Sequence, residues 1–303
     1  PLWLRRFGAS LLRHFSTGIT PSSTLNMLAS HSSSVKKWQL KKKIAGQNAT
    51  WAYTNARHQK ENASRNKLAS ARTLLGPALV CNAVEDWLRP ECSTYRAMYV
   101  PRPQTWSNVQ HYVDKIAQSG AFGREQSLEA QVDTFRGHSS EQLLAEELAW
   151  KAQHLVGKAI HAGLPTWIGS LIEEDFKNIG MILAKMVPNS KMAFKLDIMG
   201  ANACKRWHQD RYVGRAVVSY NCCATEFIDH AYVDFWELKN CGNNDCIIRD
   251  NSQVCSANTG DVFFMKGTTF PSAKNGLVHR SPEKRLHADG NVKNRLLLKV
   301  DLM

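Results

Sequence analysis

Three residues of this 303-residue chain have the type and spacing to hold one metal ion: His208, Asp210 and His279. Side chains alternate between the two faces of a strand, so His208 and Asp210, two apart, leave the same face and can share an ion. His279 stands 69 residues beyond Asp210, far enough for several hairpins to bring it back beside them. Two imidazoles and a carboxylate fill one face of an octahedron and leave positions open for substrate and oxygen. These donors do not by themselves select iron over zinc or manganese. The opposing reading is a chance H-x-D and a structural histidine.

Strands are needed to position such a triad, and from residue 192 the pattern has their period. Phe194–Ile198, Ala216–Tyr220, Tyr232–Leu238, Cys246–Ile248, Asp261–Met265 and Arg295–Leu302 read as strands. Short strands near His208 and His279 bring the count to about eight, separated by Gly, Asn and Pro turns. The expected fold class is α+β, a cupin-like jelly roll (double-stranded β-helix) over 191–303.

Residues 76–190 read as about three helices packing on that sheet. The first follows Ser107 through Val109, Tyr112, Val113 and Ile116 to Gly120, with apolar residues at helical spacing. The second opens on a capping box, Ser139 with Gln142, and ends at Gly163. The third follows Pro165 and stops before Pro188. His154 and His161 have no carboxylate at ligand spacing and read as ordinary helix residues.

Five blocks in order make the chain similar to the domain of unknown function 1826 family. They are Arg206-Trp207-His208-Gln209-Asp210, Thr225-Glu226-Phe227, Gly260-Asp261-Val262 with Lys266-Gly267, Gly276-Leu277-Val278-His279-Arg280-Ser281-Pro282, and Arg295-Leu296-Leu297-Leu298. The resemblance covers roughly residues 80–303. The chain departs from it at Asn221-Cys222-Cys223-Ala224, where the family has a glycine-containing turn.

The layout of H-x-D, a distant His and then a basic residue also resembles the iron- and 2-oxoglutarate-dependent oxygenases. That resemblance implies Fe(II) at His208, Asp210 and His279. It also implies a cation for the far carboxylate of 2-oxoglutarate, a role suited to the arginine fork. Arg295, 16 residues past His279, is the best-placed cofactor-binding candidate, whereas Arg280 is expected to point away. Alternatively Arg295, Lys299 and Asp301 form the solvent face of a strand whose other face is Leu296, Leu298, Val300 and Leu302.

Charge divides the chain unevenly. Residues 1–60 hold ten Lys or Arg and no Asp or Glu, out of a net charge of +13 for the whole protein. Residues 1–15 are apolar and Arg-bearing, the composition of a mitochondrial transit segment, with a plastid address as the alternative. Residues 16–75 read as a basic, extended or disordered arm too poor in apolar anchors to fold alone. Trp38, Trp51 and Tyr53 among its lysines suit binding to other protein subunits or stacking on nucleic-acid bases.

No run of 18 apolar residues is present, which argues against a transmembrane helix. The eight cysteines read as mostly free, buried thiols; zinc held by Cys241, Cys246 and Cys255 with Cys222 or Cys223 is the alternative.

Three functions remain open on these grounds. One is an Fe(II)-dependent oxygenase. Another is a non-catalytic accessory subunit of a large mitochondrial assembly, respiratory or ribosomal, that uses the arm to bind partners. The third is a metal-binding cupin, with zinc in the same triad, that works without oxygen. The loops at 221–231 and 267–275 contain nothing that identifies a substrate.

Overall fold

The computed structural model describes residues 74–102, 108–122, 127–133, 141–201, 203–272 and 275–303, all within the unit Ser70–Met303. The basic arm up to residue 73, the transit-like segment before it and the expected helix starts Ser107 and Ser139 lie outside the described residues; the last two arm residues form a strand instead.

The chain runs through β1 (Leu74–Leu75), β2 (Ala78–Val80), β3 (Ala97–Val100), α1 (Val109–Ser119), β4 (Ser127–Asp133), α2 (Glu141–His161) and α3 (Thr166–Met186). It continues with β5 (Lys191–Met199), β6 (Gly214–Ser219), β7 (Glu226–Ile228), α4 (Phe235–Asn240), α5 (Asn244–Ile247) and β8 (Cys255–Ser256). The last elements are β9 (Val262–Lys266), β10 (Val278–Arg280) and β11 (Arg295–Leu302). The architecture is mixed α+β. Eight strands form one sheet in the order β1-β2-β3-β9-β6-β11-β5-β4, antiparallel except for the β2–β3 pair. A smaller sheet has the order β10-β7-β8, and a single bridge adds His208 beside His279.

From β5 onward the chain crosses between the two sheets at every step except from β7 to β8. β5, β6, β9 and β11 lie in the large sheet, while the His208 segment, β7, β8 and β10 lie in the small one.

Period-2 patterning on β11 accounts for the layers. Leu296, Leu298, Val300 and Leu302 pack with helical residues in the main core, and Leu297 packs with Phe227 and Phe263 between the sheets. Phe227 and Phe263 stack at 4.5 Å and join the small sheet to the large one. On the helical side Phe176 of α3 stacks on Phe194 of β5 at 3.6 Å. α2 comes close to α3 at Gly180, where a Cβ would meet Leu148 Cδ2 at 2.7 Å.

Two expected strands are instead helical. Asp234 caps Trp236 and Glu237 backbone N–H groups at 3.0 and 3.1 Å, so the apolar run to Leu238 starts α4. Asn243 accepts from Asp245 N and opens α5, in place of the extended Cys246–Ile248 that the sequence suggests. A lone Val233–Ile248 bridge is the pairing that remains between these two stretches. In the opposite direction, residues 76–190 supply strands β2, β3 and β4 as well as helices. Among the described residues no helix is long and apolar enough to cross a membrane.

Both rings of the Phe176–Phe194 stack are fully buried, so Phe176→Ala should cost about 3–5 kcal/mol in urea unfolding with an unchanged slope. A loss under about 1 kcal/mol would mean that α3 does not depend on this contact.

Candidate metal centre

His208 and His279 are brought together by their backbones. Each N–H donates to the other's carbonyl at 3.0 Å, the hydrogen-bonded antiparallel pair that places both side chains on one face. The ring centroids lie 4.5 Å apart. β10 is held on its other side by β7, with His279 opposite Phe227.

Asp210 does not share a regular strand with His208, because pairing ends at His208 itself. Its carbonyl accepts from Thr268 N at 2.9 Å, and Gln209 Nε2 donates to Gly276 O at 2.5 Å. Gly267 makes this seat possible, because a Cβ there would fall on the Tyr212 carbonyl oxygen. Asp210 Oδ1 then lies 3.7 Å from His208 Nε2, and Oδ2 lies 3.5 Å from His279 Nε2. One ligand atom from each of the three lies within 4.8 Å of the others.

The second ring nitrogens fix the tautomers. His208 Nδ1 is 2.7 Å from Arg206 O and His279 Nδ1 is 3.1 Å from Leu277 O. Carbonyls only accept, so each Nδ1 carries the proton and each Nε2 presents its lone pair to the centre. Burial pulls the His279 imidazole down to about 4 despite the opposing pull of Asp210, which keeps it in the neutral, ligating form.

Asp210 Oδ2 lies 3.0 Å from Arg215 Nη1, yet it is buried and receives no hydrogen bond. A buried carboxylate oxygen with an ion pair to Arg215 but no aligned hydrogen bond, 3.5 Å from the His279 Nε2 lone pair, fits a cation at that point.

Arg215 and Asp301 are positioning residues that sequence reading did not identify. They face each other across the β6–β11 pair, and Arg215 Nε donates to Asp301 Oδ1 at 2.5 Å. The guanidinium thus spans Asp301 and Asp210.

β11 does not turn its charged face to solvent. Arg295 is 5% exposed and Asp301 3%, because that face looks toward the small sheet. Arg295, Leu297 and Lys299 line a cavity of about 130 Å³ together with His208, Arg215 and His279. Lys299 pairs with Asp197. Arg280 pairs with Glu226 at 2.7 Å but also lines the cavity, contrary to the expectation that it would point away.

Arg295 differs from these cations. Among the described residues it has no carboxylate partner, only a 3.4 Å contact to Cys223 O, and burial lowers its affinity for the proton. The groups beside it that can carry negative charge are the Cys222 and Cys223 thiols. Asn221 holds the backbone on either side of Arg295, accepting from Leu296 N at 2.7 Å and donating to Asn294 O at 2.8 Å. Where the family has a glycine-containing turn, Cys222 takes a left-handed φ of 67°.

The cysteine readings need correction. All eight are free, but only Cys81 and Cys92 are buried. Among the described residues Cys241 and Cys246 group with Glu237, without Cys222, Cys223 or Cys255.

The family model described as "Protein of unknown function (DUF1826)" matches residues 109–301. No curated protein matches the sequence. Among solved structures the chain is similar to the dioxygenase for auxin oxidation 1 of Arabidopsis thaliana bound to 2-oxoglutarate. Identity is 10%, coverage is 75% of this chain and 92% of that one, and the TM-score is 0.37. It is also similar to a putative 2OG-Fe(II) oxygenase family protein of Caulobacter crescentus, at 11% identity, 76% and 87% coverage and a TM-score of 0.33.

Asp301→Asn keeps the shape of the side chain but removes the charge that anchors Arg215. It should weaken Mn2+ binding at the triad by about 10–100-fold, read by titration of folded protein. Unchanged affinity would show that Arg215 does not position Asp210.

Proposed function

The chain belongs to the DUF1826 family, and we propose that it is an Fe(II)- and 2-oxoglutarate-dependent oxygenase-like protein built on a jelly roll. The jelly-roll reading is supported by the crossing of seven strands, β5 to β11, and the bridged His208 segment between two sheets at every step except from β7 to β8.

The observation that carries the functional reading is Arg295, a buried guanidinium without a carboxylate on the wall of the cavity that His208 and His279 also line. A buried cation of this kind is costly unless an anion meets it. The guanidinium fork suits a carboxylate, and the small cavity suits a short dicarboxylic acid such as 2-oxoglutarate.

In this reading Nε2 of His208, a carboxylate oxygen of Asp210 and Nε2 of His279 hold the metal, and Arg295 holds the far carboxylate of the co-substrate. Fe(II) with 2-oxoglutarate, when bound, supplies the activation of oxygen. The protein's own part is to fix the tautomer and orientation of both imidazoles through their Nδ1–carbonyl contacts, to hold His279 neutral by burial, and to fix Asp210 through Arg215. Inter-sheet residues Val217, Met265 and Leu297 limit water around the site. Zinc or manganese would find the same donors, so the metal itself has to be measured.

Metal analysis after anaerobic Fe2+ loading should show His208→Ala losing the triad's ion; equal iron in both proteins would remove the metal centre. With Mn2+ in place of iron, Arg295→Gln should weaken 2-oxoglutarate binding by about 2–5 kcal/mol and leave Mn2+ affinity unchanged. Equal 2-oxoglutarate affinity would remove the co-substrate assignment alone.

A further inference from the structure

The turn joining α4 to α5 gathers a second set of metal-type donors. Glu237 and Cys241 are four residues apart and share a helix face, with Cys241 N donating to Glu237 O at 3.1 Å. Gly242, at a φ of 72°, then reverses the chain. Cys246 N donates to Asn243 O at 3.1 Å, which brings the second thiol back. A Glu237 carboxylate oxygen and the Sγ atoms of Cys241 and Cys246 lie within 4.8 Å of one another. Tetrahedral zinc with bonds of about 2.0–2.3 Å needs donors roughly 3.5–3.8 Å apart, so small side-chain rotations suffice. The C-x4-C spacing also falls in the range zinc sites use.

Two further observations point to a ligand. The half-buried Glu237 carboxylate, beside two exposed thiols that hydrogen-bond each other, has no hydrogen-bond or ion-pair partner of its own among the described residues. In addition, the Arg206 guanidinium packs on Gly242, where a Cβ would collide with it. Two thiolates and a carboxylate around a divalent cation leave one net negative charge, which Arg206 is placed to balance.

The turn also reaches the first centre. Asn244 Oδ1 accepts from Trp207 N at 3.0 Å, and its Nδ2 donates to Lys205 O at 2.8 Å. It therefore grips the chain on both sides of Arg206, whose carbonyl meets His208 Nδ1.

We propose that Glu237, Cys241 and Cys246 form a second metal site, for a zinc-class divalent cation, which braces the segment that delivers His208. The fourth position is left to water, and binding releases the two thiol protons to solvent. The site is separate from the triad and stands whether or not the triad works as an oxygenase.

The test uses the full, reduced protein with Co2+ as the probe. A thiolate-to-cobalt charge-transfer band should appear, disappear on addition of Zn2+, be lost in Cys241→Ser and Cys246→Ser, and persist in His208→Ala. Absence of the band in the wild type, or its survival in both serine variants, would overturn the site. A second measurement needs no variant: Zn2+ should protect Cys241 and Cys246 of the wild type from alkylation, located by peptide mass. Unprotected thiols, or a Cys241–Cys246 disulfide that leaves no zinc-dependent protection after reduction, would overturn it equally. Zn2+ should also slow hydrogen exchange at the Trp207 amide in His208→Asn, where the triad cannot bind; unchanged exchange there would remove the bracing role.

Discussion

The two-way backbone pairing of His208 with His279 is the constraint on which the rest of the site depends. It spans 71 positions of sequence with two hydrogen bonds of 3.0 Å and sets both rings on one face before any side chain chooses a rotamer. The small sheet could not keep that pairing alone, since β10 and β7 have three residues each and β8 has two. It is steadied by the Phe227–Phe263 stack on the large sheet. The geometry of the imidazoles is thus inherited from the core, which in turn is built on the helix-facing residues of β5, β6, β9 and β11.

Charge on the inner face of β11 is the second determinant. Positions 295, 299 and 301 carry ionisable groups where an ordinary sandwich would place apolar ones, and each is dealt with differently. Asp301 is neutralised by Arg215, whose other edge reaches Asp210, so one guanidinium links a strand of the large sheet to the candidate metal centre. Lys299 is matched by Asp197 of β5. Arg295 alone of the three lacks an acid among the described residues. Asn221 holds the backbone on both sides of it, which points to a charge kept in place for something other than stability.

The alternation on β11, the three helices and the convergence of His208, Asp210 and His279 were legible in the sequence, because each rests on spacing within one segment or on a set of residue types with few alternatives. Tyr232–Leu238 misled because its apolar residues at 232, 233, 235, 236 and 238 fit both periods. The signal that decides it is Asp234, a good helix cap followed by Trp236 and Glu237 amides. The burial of Arg295 and Asp301 was not legible, because a charged residue on an alternating strand reads as solvent-facing until the second sheet is known to cover it. Arg215 was missed for the same reason: its meaning lies in a cross-strand register with Asp301 that no local pattern encodes.

A further property separates the two halves of the candidate centre. The histidines and Asp210 are seated by main-chain contacts, His208 with His279, Asp210 O with Thr268 N, and Gly267 against Tyr212. Main-chain seats have few degrees of freedom, so the donors are pre-organised. Arg295 and Lys299 instead reach the cavity on long side chains, Lys299 held by Asp197 and Arg295 without a carboxylate among the described residues. The turn carrying Asn244 adjoins the rigid half, gripping the chain at Lys205 and Trp207. A change at that turn would therefore reach His208 through the backbone, whereas the same change would leave the β11 wall where it is.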